Sequence, residues 1–450
     1  MIINKIKMKV LKFGGTSVGS VENMYAVMKL IADGKKKLVV LSAMSGTTNA
    51  LVEIADYLHK KNKDGARVHI NKLEDTYKAV VQLLYKKEES KKAGAAIVGD
   101  AFDTIKRLTS GEFSDAGEKT ILAQGELIST GLFTRLMLEN GYNAKLLPAL
   151  DYMVIDADKA ADIQAITRNI ARVLEEEGDA TYYVTQGYIC RNSLGEIDNL
   201  QRGGSDYSAS LIGAAVGAEE VQIWTDIDGF HNNDPRYVSN TRKIDQLSFN
   251  EAAELAYFGA KILHPQTVLP ARLHNIPVRL KNTMNPTDSG TLITARSSGS
   301  GIKAVAAKDG ITAVKVRSYR MLMAYGFLKN IFEIFEFFKT PIDMISTSEV
   351  AVSLSIDNTG KLDDIVRELK EYGEVEVDKD QSIICIVGDI IAEEKGFAAK
   401  VFTALEGIPI RMISYGGSRY NISVLVPTVH KQKTLQALSD HLLNIENQSK

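Results

Sequence analysis

Apolar and polar positions near the start of the chain alternate between the spacing of a buried strand and that of a helix. Residues 8–13 (Met-Lys-Val-Leu-Lys-Phe) are typical of a strand, and after a glycine-rich turn residues 21–31 are apolar at helical spacing. Ser20 is the expected N-cap of this helix and Gly34 its expected end. Residues 38–41 (Leu-Val-Val-Leu) form the next buried strand. This alternation predicts a mainly parallel sheet with helices on both faces.

The same patterns divide the rest of the chain. Residues 181–190, 221–224 and 278–281 are predicted to be strands. The Lys- and Glu-rich stretch 59–118 has helical periodicity, and we interpret it as solvated helices that carry no chemistry of their own. Residues 295–301 (Ala-Arg-Ser-Ser-Gly-Ser-Gly) are the expected linker. A chain of 450 residues predicts two or three domains.

An internal repeat follows the linker. Residues 326–346 return in modified form at 396–414, as a Gly-Phe step, an Ile/Val-Phe pair and a Pro-Ile-x-Met-Ile-Ser segment. Each copy is followed by a strand of alternating polarity, at 350–356 and 421–426. One copy is too small to bury its own sheet face, so two copies must pack together or against those of another subunit.

Composition excludes several classes of function. Apolar residues make up 45% of the chain and charged residues 24%, as in ordinary globular proteins, and the net charge of -2 gives no basic balance for nucleic acid. No apolar run approaches the ~20 residues of a membrane span, and the N-terminal residues contain no apolar signal core. Cys190 and Cys385 lie in apolar runs and are expected to be buried free thiols. We therefore expect a cytoplasmic protein in a reducing compartment, with no nucleic-acid or membrane partner.

Two glycine-rich corners are the first candidates for chemistry. Residues 12–17 (Lys-Phe-Gly-Gly-Thr-Ser) lie where a strand ends and a helix is about to begin, so backbone N–H groups and the helix dipole favour an anion there. Lys12 adds a full positive charge, although the segment is not a Walker A loop and a single Gly-Gly turn is weak evidence. Residues 202–208 (Arg-Gly-Gly-Ser-Asp-Tyr-Ser) open another helix, where Asp206 is equally well explained as a helix-start charge. Together the two corners could hold both ends of a transferring phosphoryl group.

Further polar segments are weaker candidates. Residues 224–229 (Trp-Thr-Asp-Ile-Asp-Gly) and 234–236 (Asp-Pro-Arg) follow a strand and could bind a nucleotide, although Asp-Gly is more often only a turn. Lys261 is one more cation, of a type that is usually at the surface. Glu126, in a segment that opens a predicted helix, is either a helix-start charge or a ligand of an ammonium group. The seven histidines have no metal-ligand spacing, and the chain has no cysteine cluster, so we expect no structural metal.

Taken together, these motifs resemble those of aspartokinases in the amino-acid kinase family. The matching stretches occur in the family's order, at residues 12–17, 42–49, 124–129, 202–208, 224–229, 234–236 and 258–265. The repeated C-terminal unit resembles paired ACT domains, which are βαββαβ modules that bind amino acids. The resemblance implies a three-layer α/β/α kinase domain with a mainly parallel sheet over residues 1–297. It also implies a regulatory region over 298–450, with ACT domains at about 311–380 and 381–450 or in an interleaved arrangement, and a monofunctional form without a fused homoserine dehydrogenase.

The activity implied by the resemblance is phosphorylation of the L-aspartate side chain by ATP, which would carry Mg²⁺ with it. The product would be 4-phospho-L-aspartate, in the first step of lysine, threonine and methionine biosynthesis. A carboxylate is already a nucleophile at neutral pH, so catalysis would need positioning and charge stabilisation but no general base. Two alternatives stay open: a kinase of the same family that acts on glutamate or N-acetylglutamate, and a non-catalytic amino-acid sensor with a vestigial kinase domain.

The resemblance also implies roles for individual residues. The expected catalytic residues are Lys12 and Asp206, the latter orienting Lys12 or the substrate amine. The expected phosphate ligands are Lys12, Gly14, Gly15, Ser17 and Gly204. The other expected nucleotide ligands are Thr225, Asp226, His231, Arg236, Lys261 and Ile262. The expected aspartate ligands are Thr48, Glu126, Arg202, Gly203 and Ser205. Arg202 would bind the α-carboxylate, Glu126 the α-ammonium group and Thr48 an oxygen. Phe230-His231 stands where the family has a tyrosine, which leaves the role of His231 open.

The regulatory assignment rests on two segments that resemble the effector-binding loops of lysine-sensitive aspartokinases. The candidate effector contacts are Met321, Ala324, Gly326, Phe327, Leu328, Asp343, Thr347, Ser348 and Glu349. Asp343 would accept the ε-ammonium group, and Ser348 or Glu349 would meet the α-amino end. Lysine is the favoured effector, with threonine or both as alternatives, because Ala324 stands where a hydroxyl is more usual. A competing interpretation is that Gly326-Phe327-Leu328 only starts a helix.

Effector binding is expected at an interface between ACT domains, in a homodimer or a tetramer. It would inhibit by favouring a state with a deformed active site.

Overall fold

The computed structural model describes residues 8–200, 203–259, 263–296, 299, 301–322, 325–389 and 395–443. The chain forms two compact units, of which the first comprises Met1–Gly229 and Ile262–Ala295 and the second Phe230–Lys261 and Arg296–Lys450. Residues 230–261 thus belong to the same compact unit as the C-terminal region. Within the described ranges, no helix combines the length and the apolarity that crossing a lipid bilayer requires.

The strands of the described chain are β1 (Lys9–Phe13), β2 (Lys37–Leu41), β3 (Ala144–Leu147), β4 (Tyr182–Gln186), β5 (Ile189–Arg191), β6 (Ile197–Asn199), β7 (Val221–Thr225), β8 (Gln246–Ser248), β9 (Val278–Asn282), β10 (Thr291–Thr294), β11 (Gly301–Arg317), β12 (Met344–Thr347), β13 (Ala351–Ile356), β14 (Glu374–Asp389), β15 (Met412–Tyr415) and β16 (Asn421–Pro427).

The α-helices are α1 (Val21–Ile31), α2 (Thr47–His59), α3 (Lys63–Leu84), α4 (Glu88–Leu108), α5 (Asp115–Glu139), α6 (Ile163–Glu177), α7 (Gly204–Val216), α8 (Phe249–Tyr257), α9 (Leu269–Leu273), α10 (Phe327–Phe337), α11 (Leu362–Leu369), α12 (Phe397–Ala404) and α13 (Lys431–Leu438). Short 3₁₀ turns occur at Ala149–Asp151, Pro265–Val268, Tyr319–Met321 and Thr428–His430, and a π turn occurs at Ser439–Leu443.

The first unit is built on a sheet whose strands run in the order β3-β4-β2-β1-β7-β9-β10. Neighbouring strands from β3 to β9 are parallel, and β10 is antiparallel to β9. Every residue of β2 is buried, as expected of a strand covered by helices on both faces. The carboxyl ends of parallel strands meet at one edge of a sheet, which makes this edge the expected place for ligands.

The second unit contains one antiparallel sheet in the order β12-β13-β11-β14-β16-β15. The long strands β11 and β14 pair along almost their whole length, with register shifts near Ile311. The second half of β11 also pairs with β13, whereas the second half of β14 pairs with β16. Each half of the sheet is therefore a four-stranded βαββαβ unit. In the second of these units, the last strand is the first half of β11, a segment that precedes the first unit in the sequence.

These two βαββαβ units are named ACT units after the domains that the sequence resembles, and each buries a core of its own between its sheet half and its helices. Helices α10 and α11 contribute to the first core, and α12 and α13 to the second. Helices α10 and α12 both follow a left-handed glycine, Gly326 (φ 83°) and Gly396 (φ 79°), and both begin with a buried phenylalanine, Phe327 and Phe397. The internal repeat and the fold class predicted from the sequence are thus confirmed.

Several local predictions were close, and others were wrong. Ser20 caps α1 as predicted, by accepting a hydrogen bond from the N–H of Asn23 (3.2 Å). That helix ends at Ile31, and Gly34 (φ 76°) lies in the turn beyond it. Residues 124–129 do not open a helix but lie inside α5, which begins after the cap Ser114. The interpretation of Glu126 as a helix-start charge was therefore wrong.

Candidate active site

The first glycine corner lies directly after β1, in the middle of the parallel sheet. The N–H of Gly14 donates to the carbonyl of Trp224 near the end of β7 (3.4 Å). A Cβ atom added to Gly14 would stand 3.6 Å from the Lys12 ammonium, and one added to Gly15 would stand 2.9 Å from the Ala43 carbonyl oxygen. The two glycines therefore let the loop approach its neighbour and leave the Lys12 ammonium uncovered on this side.

The second glycine corner begins α7. Gly203 is the N-cap (φ 80°) and Gly204 follows at φ 44°, both in the left-handed region that favours glycine. A Cβ atom on Gly203 would collide with the methyl group of Thr267. The N–H of Asp206 donates to the Gly203 carbonyl (3.0 Å), so the first turn closes at once. The N-terminus of α7, with its partial positive charge, thus begins at this corner.

A lysine–aspartate pair joins the two corners. The Lys12 Nζ atom lies 2.6 Å from Asp206 Oδ1, and the side chains are 12% and 21% exposed. The contact is a close ion pair that lacks the alignment of a good hydrogen bond. Nearby, the Ser42 hydroxyl donates to the Ser205 hydroxyl (2.9 Å) and so ties the loop after β2 to the second corner. Lys12, Ser42, Ser205 and Asp206 therefore form one polar cluster at the carboxyl edge of the sheet.

Glu126 lies beneath the loop that follows β2. The N–H of Ala43 donates to Glu126 Oε1 (3.2 Å), and the Ser129 hydroxyl donates to the Ser42 carbonyl (2.8 Å). The Glu126 residue is 3% exposed, and its Oε2 atom has no hydrogen-bond partner among the described residues. Burial raises the pKa of Glu126 to about 7. A buried carboxylate oxygen that lacks a donor is suited to an ammonium group.

Thr48 lies exposed in the first turn of α2, after the left-handed N-cap Gly46 (φ 82°). The preceding residue, Thr47, is buried and its hydroxyl bonds the Tyr77 hydroxyl (2.7 Å). A Cβ atom on Gly125 would stand 2.8 Å from the Ala43 side chain and 3.2 Å from that of Thr47. Helix α5 therefore packs closely against the start of α2, which brings the segments carrying Thr48 and Glu126 together.

The ends of β7 and β9 carry further polar groups at the same edge. The Thr225 hydroxyl donates to Asp226 Oδ1 (3.0 Å), and the N–H of Thr283 donates to the Thr225 carbonyl (2.9 Å). The hydroxyl groups of Ser17 and Thr283 are 2.7 Å apart. The first glycine corner is thus tied to the end of β9 as well as to the end of β7.

Three residues of this region were not predicted as site residues. Ser42 and Thr283 follow β2 and β9 directly, so the rule that ligands bind beyond the carboxyl ends of parallel strands could have found them. Tyr188 has φ 68°, and its backbone N–H donates to the Ser208 hydroxyl (2.8 Å). Burial and the charge of Glu126 raise the pKa of Tyr188. No signal in the sequence identifies Tyr188, because its proximity to Glu126 arises only from the fold.

Other predicted site residues are not part of this cluster as described. Arg202, Lys261, Ile262 and Ala324 lie outside the described residues. His231 and Arg236 belong to the second compact unit. The Arg236 guanidinium binds both carboxylate oxygens of Asp234, with a shortest distance of 2.6 Å, and is 78% exposed. The hydrogen bond from Arg236 lowers the pKa of Asp234.

The predicted effector residues all belong to the second unit. Met321 ends a 3₁₀ turn, and Gly326 precedes α10, whose first two residues are Phe327 and Leu328. The Phe327 side chain is buried in the core of the first ACT unit. Asp343 directly precedes β12, and the remaining predicted residues, all exposed, are Thr347, Ser348 and Glu349.

The residues at the carboxyl edge fit a nucleotide phosphate. Lys12 and the N-terminus of α7 supply positive charge, and the glycines admit close approach. The carboxylates there are engaged, Asp206 by Lys12 and Asp226 by Thr225. This donor set fits Mg²⁺ that is held mainly by phosphate and water.

A separate group elsewhere, His59, Asp115 and Glu118, brings possible metal ligands within 4.8 Å of one another in the described chain. The direct contact between His59 and Glu118 (2.8 Å) explains why these side chains lie close together, and we assign no metal there.

Comparison with known proteins adds independent findings. Residues 7–282 match the model of the amino acid kinase family, and residues 384–442 match that of the ACT domain. Lysine-sensitive aspartokinase 3 of Escherichia coli (strain K12) is 32% identical over 447 residues, which cover 96% of this chain and 98% of that protein.

Two crystal structures of E. coli aspartokinase III are also similar, one in complex with aspartate and ADP (R-state) and one with lysine and aspartate (T-state). Each is 32% identical, covers 97% of this chain and 100% of its own, and has a TM-score of 0.79. Given the kinase-family match over more than half of its residues and the nearly full-length similarity to these enzymes, the chain belongs to the amino acid kinase family, and within it to the aspartokinases.

Proposed function

We propose that the protein transfers the γ-phosphoryl group of ATP to the side-chain carboxylate of L-aspartate and forms 4-phospho-L-aspartate. The observation that carries this proposal is the 2.6 Å contact between Lys12 and Asp206, which joins the two glycine-rich corners. Such an arrangement can neutralise charge on a phosphoryl group in transfer, and the reaction needs no base because the nucleophile is already ionised.

Within this proposal Lys12 is the main cation for the transferring phosphoryl group, and Asp206 holds its ammonium in place. Gly14, Gly15, Ser17 and Gly204 present backbone and hydroxyl groups to the phosphates, supported by the N-terminus of α7. Mg²⁺ on the nucleotide would neutralise further charge on the phosphates. Thr225 and Asp226, at the end of β7, bind the nucleotide on the other side of the first corner. We assign Arg236, His231, Lys261 and Ile262 to the nucleotide on the family resemblance alone.

Within this proposal, Glu126 makes the site selective for a substrate with an α-ammonium group. Its buried carboxylate has an oxygen without a donor in the described chain, and an α-ammonium group would supply both the donor and the missing charge. We assign Thr48, Gly203 and Ser205 to the aspartate on the family resemblance, with Arg202 on the α-carboxylate. The similarity to a lysine-sensitive aspartokinase and to a crystal structure with lysine bound supports lysine as the inhibitory effector. Asp343 is its proposed ammonium ligand.

We further propose that residues 1–297 serve catalysis and residues 298–450 serve regulation, with two copies of the chain pairing through their ACT units. Exposed apolar side chains around the first ACT unit support this pairing, among them Tyr319, Leu322, Tyr325 and Phe337. Light scattering with and without lysine measures the subunit number, for which a tetramer is the alternative.

The reaction is tested by supplying ATP and Mg²⁺ with aspartate, glutamate or N-acetylglutamate, and by measuring ADP formation. Hydroxylamine in the assay traps an acyl phosphate as a hydroxamate, which identifies the carboxyl group as the acceptor. We expect ADP and hydroxamate to form in equal amounts with aspartate only.

Equal rates with glutamate would move the protein to another specificity within the family. Turnover with none of the three acids, in protein that still binds lysine, would support the sensor interpretation and overturn the proposal.

A further inference from the structure

A second lysine–aspartate pair lies in the second unit, at the start of β12. Asp343 Oδ1 accepts hydrogen bonds from Lys308 Nζ (2.7 Å) and from the Tyr257 hydroxyl (2.9 Å). The same ammonium lies 2.9 Å from Asp357 Oδ2. One positive charge is therefore shared by two carboxylates, and this cluster carries a net negative charge.

Asp343 has capacity for one more donor. Its side chain is only 2% exposed, and its Oδ2 atom has no hydrogen-bond partner in the part of the chain that the structure describes. An ionised carboxylate offers about four acceptor positions, and a buried one that is left partly unsatisfied destabilises the structure. The free oxygen and the excess negative charge both favour the binding of an additional cation.

We propose that Lys308 is an internal competitor for Asp343, so that its ammonium group sets the effector concentration needed for inhibition. The inference rests on the proposed function, in which the effector carries a side-chain ammonium group. That group and the Lys308 ammonium have the same chemistry and compete for the same carboxylate. Effector binding displaces the Lys308 ammonium towards Asp357, whose side chain is 43% exposed and already in contact with it.

Lys308 stays charged in this setting. Burial lowers its pKa, but the contacts with Asp343 and Asp357 outweigh burial and raise the pKa of Lys308 above its ordinary value. The Lys308 ammonium also lies 4.8 Å from the centroid of the Tyr257 ring, a distance at which a cation–π contact stabilises it further. Competition therefore operates over the whole physiological pH range.

Tyr257 extends the effect of this cluster along the chain. It is the last residue of α8, and Gly259 beyond it packs so closely on the backbone of Ala307, next to Lys308, that a Cβ atom would collide there. Glu254 in the same helix accepts hydrogen bonds from Ser418 (2.9 Å) and Asn421 (2.5 Å) in the second ACT unit. Helix α8 is thus bonded to both ACT units, and the chain continues from it into the first compact unit. Occupancy of Asp343 can reach α8 through the Tyr257 hydroxyl.

The test measures lysine inhibition of aspartate-dependent ADP formation in the full chain with Lys308→Met. Without its internal competitor, Asp343 binds lysine more tightly, and we expect the half-inhibitory lysine concentration to fall about tenfold. Lys315→Met is the matched control, because Lys315 lies on the same strand and contacts a different carboxylate, Glu376 (3.6 Å). We expect no change in this control. Calorimetric titration with lysine should show the same tightening without turnover.

Asp357→Asn provides a second test with the opposite sign. This residue is partly exposed, so the variant is expected to fold. Loss of Asp357 removes the position to which Lys308 retreats and one negative charge of the cluster, and we expect the half-inhibitory concentration to rise about threefold.

An unchanged or higher half-inhibitory concentration in Lys308→Met, together with no rise in Asp357→Asn, would overturn the inference. If lysine does not inhibit the parent protein, the inference requires that Lys308→Met binds lysine in a calorimetric titration. A titration of this variant that shows no heat of binding would then reject the inference. Failure of the proposed function has a different signature, because ADP formation with aspartate would then be missing in the parent protein whatever the titrations show.

Discussion

Two lysine–aspartate pairs of almost equal length lie in the two regions of the molecule. Lys12 and Asp206 are 2.6 Å apart in the kinase unit, and Lys308 and Asp343 are 2.7 Å apart in the regulatory unit. In the first pair one carboxylate balances one ammonium, and the start of α7 adds partial positive charge. In the second pair Asp357 shares the ammonium, so negative charge dominates.

The same pair of residue types can therefore belong to sites for ligands of opposite charge. The surroundings of Lys12 suit an anionic phosphate, whereas those of Asp343 suit a cationic amino group. Variants at either pair test this difference, and the one at Lys12 should have the largest effect.

Replacing Lys12 by Met should lower kcat about 1,000-fold, since it removes the main protein charge proposed to stabilise the phosphoryl group in transfer. The readout is ADP formation at saturating ATP and aspartate. The matched control is Lys9→Met on the same strand, where the ammonium lies 3.6 Å from Glu220 and is 44% exposed. The control should keep kcat, and a Lys12 variant with kcat within tenfold of the parent would contradict the assignment of the first pair to phosphate.

Gly203→Ala tests the corner that positions Asp206. Gly203 and Gly396 both precede a helix, at φ 80° and φ 79°, so alanine is strained by about 1 kcal/mol at either position. Only at Gly203 does the new methyl collide, with Thr267, whereas no described atom lies within 4 Å of the Cβ position at Gly396. We expect kcat to fall about 100-fold in Gly203→Ala, because the shift moves Asp206 away from Lys12.

Gly396→Ala is the matched control and should leave kcat within about twofold, with a loss of about 1 kcal/mol in the free energy of unfolding. Equal kcat values in the two variants would show that the corner tolerates displacement, and the geometric part of the comparison would then fail.

Glu126 extends the comparison to a carboxylate that has no cation in contact among the residues that the structure describes. We expect Glu126→Gln to raise KM for aspartate about 30-fold, because the amide cannot attract the α-ammonium group, while KM for ATP changes little. The pair of KM values is the measurement. A proportional rise in both would place Glu126 in the support of the whole site and not at the amino acid.

The same variant has a stability signature that depends on pH. Burial raises the pKa of Glu126 from its ordinary value of 4.5 to about 7, so ionisation penalises the folded state as pH rises from about 4.5 to 7. Above that range, Glu126→Gln should exceed the parent in free energy of unfolding by roughly 3 kcal/mol, and below about pH 4.5 the two should agree. Denaturant unfolding at both ends of the range provides the check, and a pH-independent difference would contradict the burial of an ionisable carboxylate.

Much of the fold could be predicted from the sequence, because its periodicity is strong where burial is uniform. Residues 38–41 are all apolar and became β2, and Ser20 precedes the apolar helical pattern of α1 that it caps. The repeat at 326–346 and 396–414 led directly to the two ACT units. Glycine pairs drew attention to both corners, where the structure shows a close backbone approach at Gly15 and left-handed backbone at Gly203 and Gly204. The binding of phosphate there stays a prediction.

The remaining features depend on contacts that no local pattern records. Strands β11 and β14 each contribute one half to each ACT unit. The hydrophobic pattern does not show which half of each strand pairs with which neighbouring strand. Glu126 was placed at a helix start, although α5 begins eleven residues earlier with Asp115, since its cap Ser114 lay in a stretch treated as plain solvated helix. The closeness of Lys308 to Asp343 joins residues 35 positions apart and was not foreseen.

Tyr257→Phe should give the smallest effect and separates binding from coupling in the second region. The phenyl ring keeps its place beside the Lys308 ammonium, but the hydrogen bond from the Tyr257 hydroxyl to Asp343 (2.9 Å) is lost. The Asp343 carboxylate keeps its charge in this variant, so we expect lysine affinity within about twofold, whereas loss of the bond to α8 should reduce maximal inhibition to roughly half. Calorimetry gives the affinity, and initial rates at saturating lysine give the inhibition.

The control for this last variant is Tyr420→Phe, because Tyr420 also has a cation over its ring, Arg419 at 5.6 Å, and lies in the same unit. It should change neither quantity. If Tyr257→Phe weakens lysine binding and leaves maximal inhibition intact, the hydroxyl serves the carboxylate and not helix α8. The regulatory pair would then act by a route other than the helix that leads into the kinase unit, and only its role as an effector site would stand.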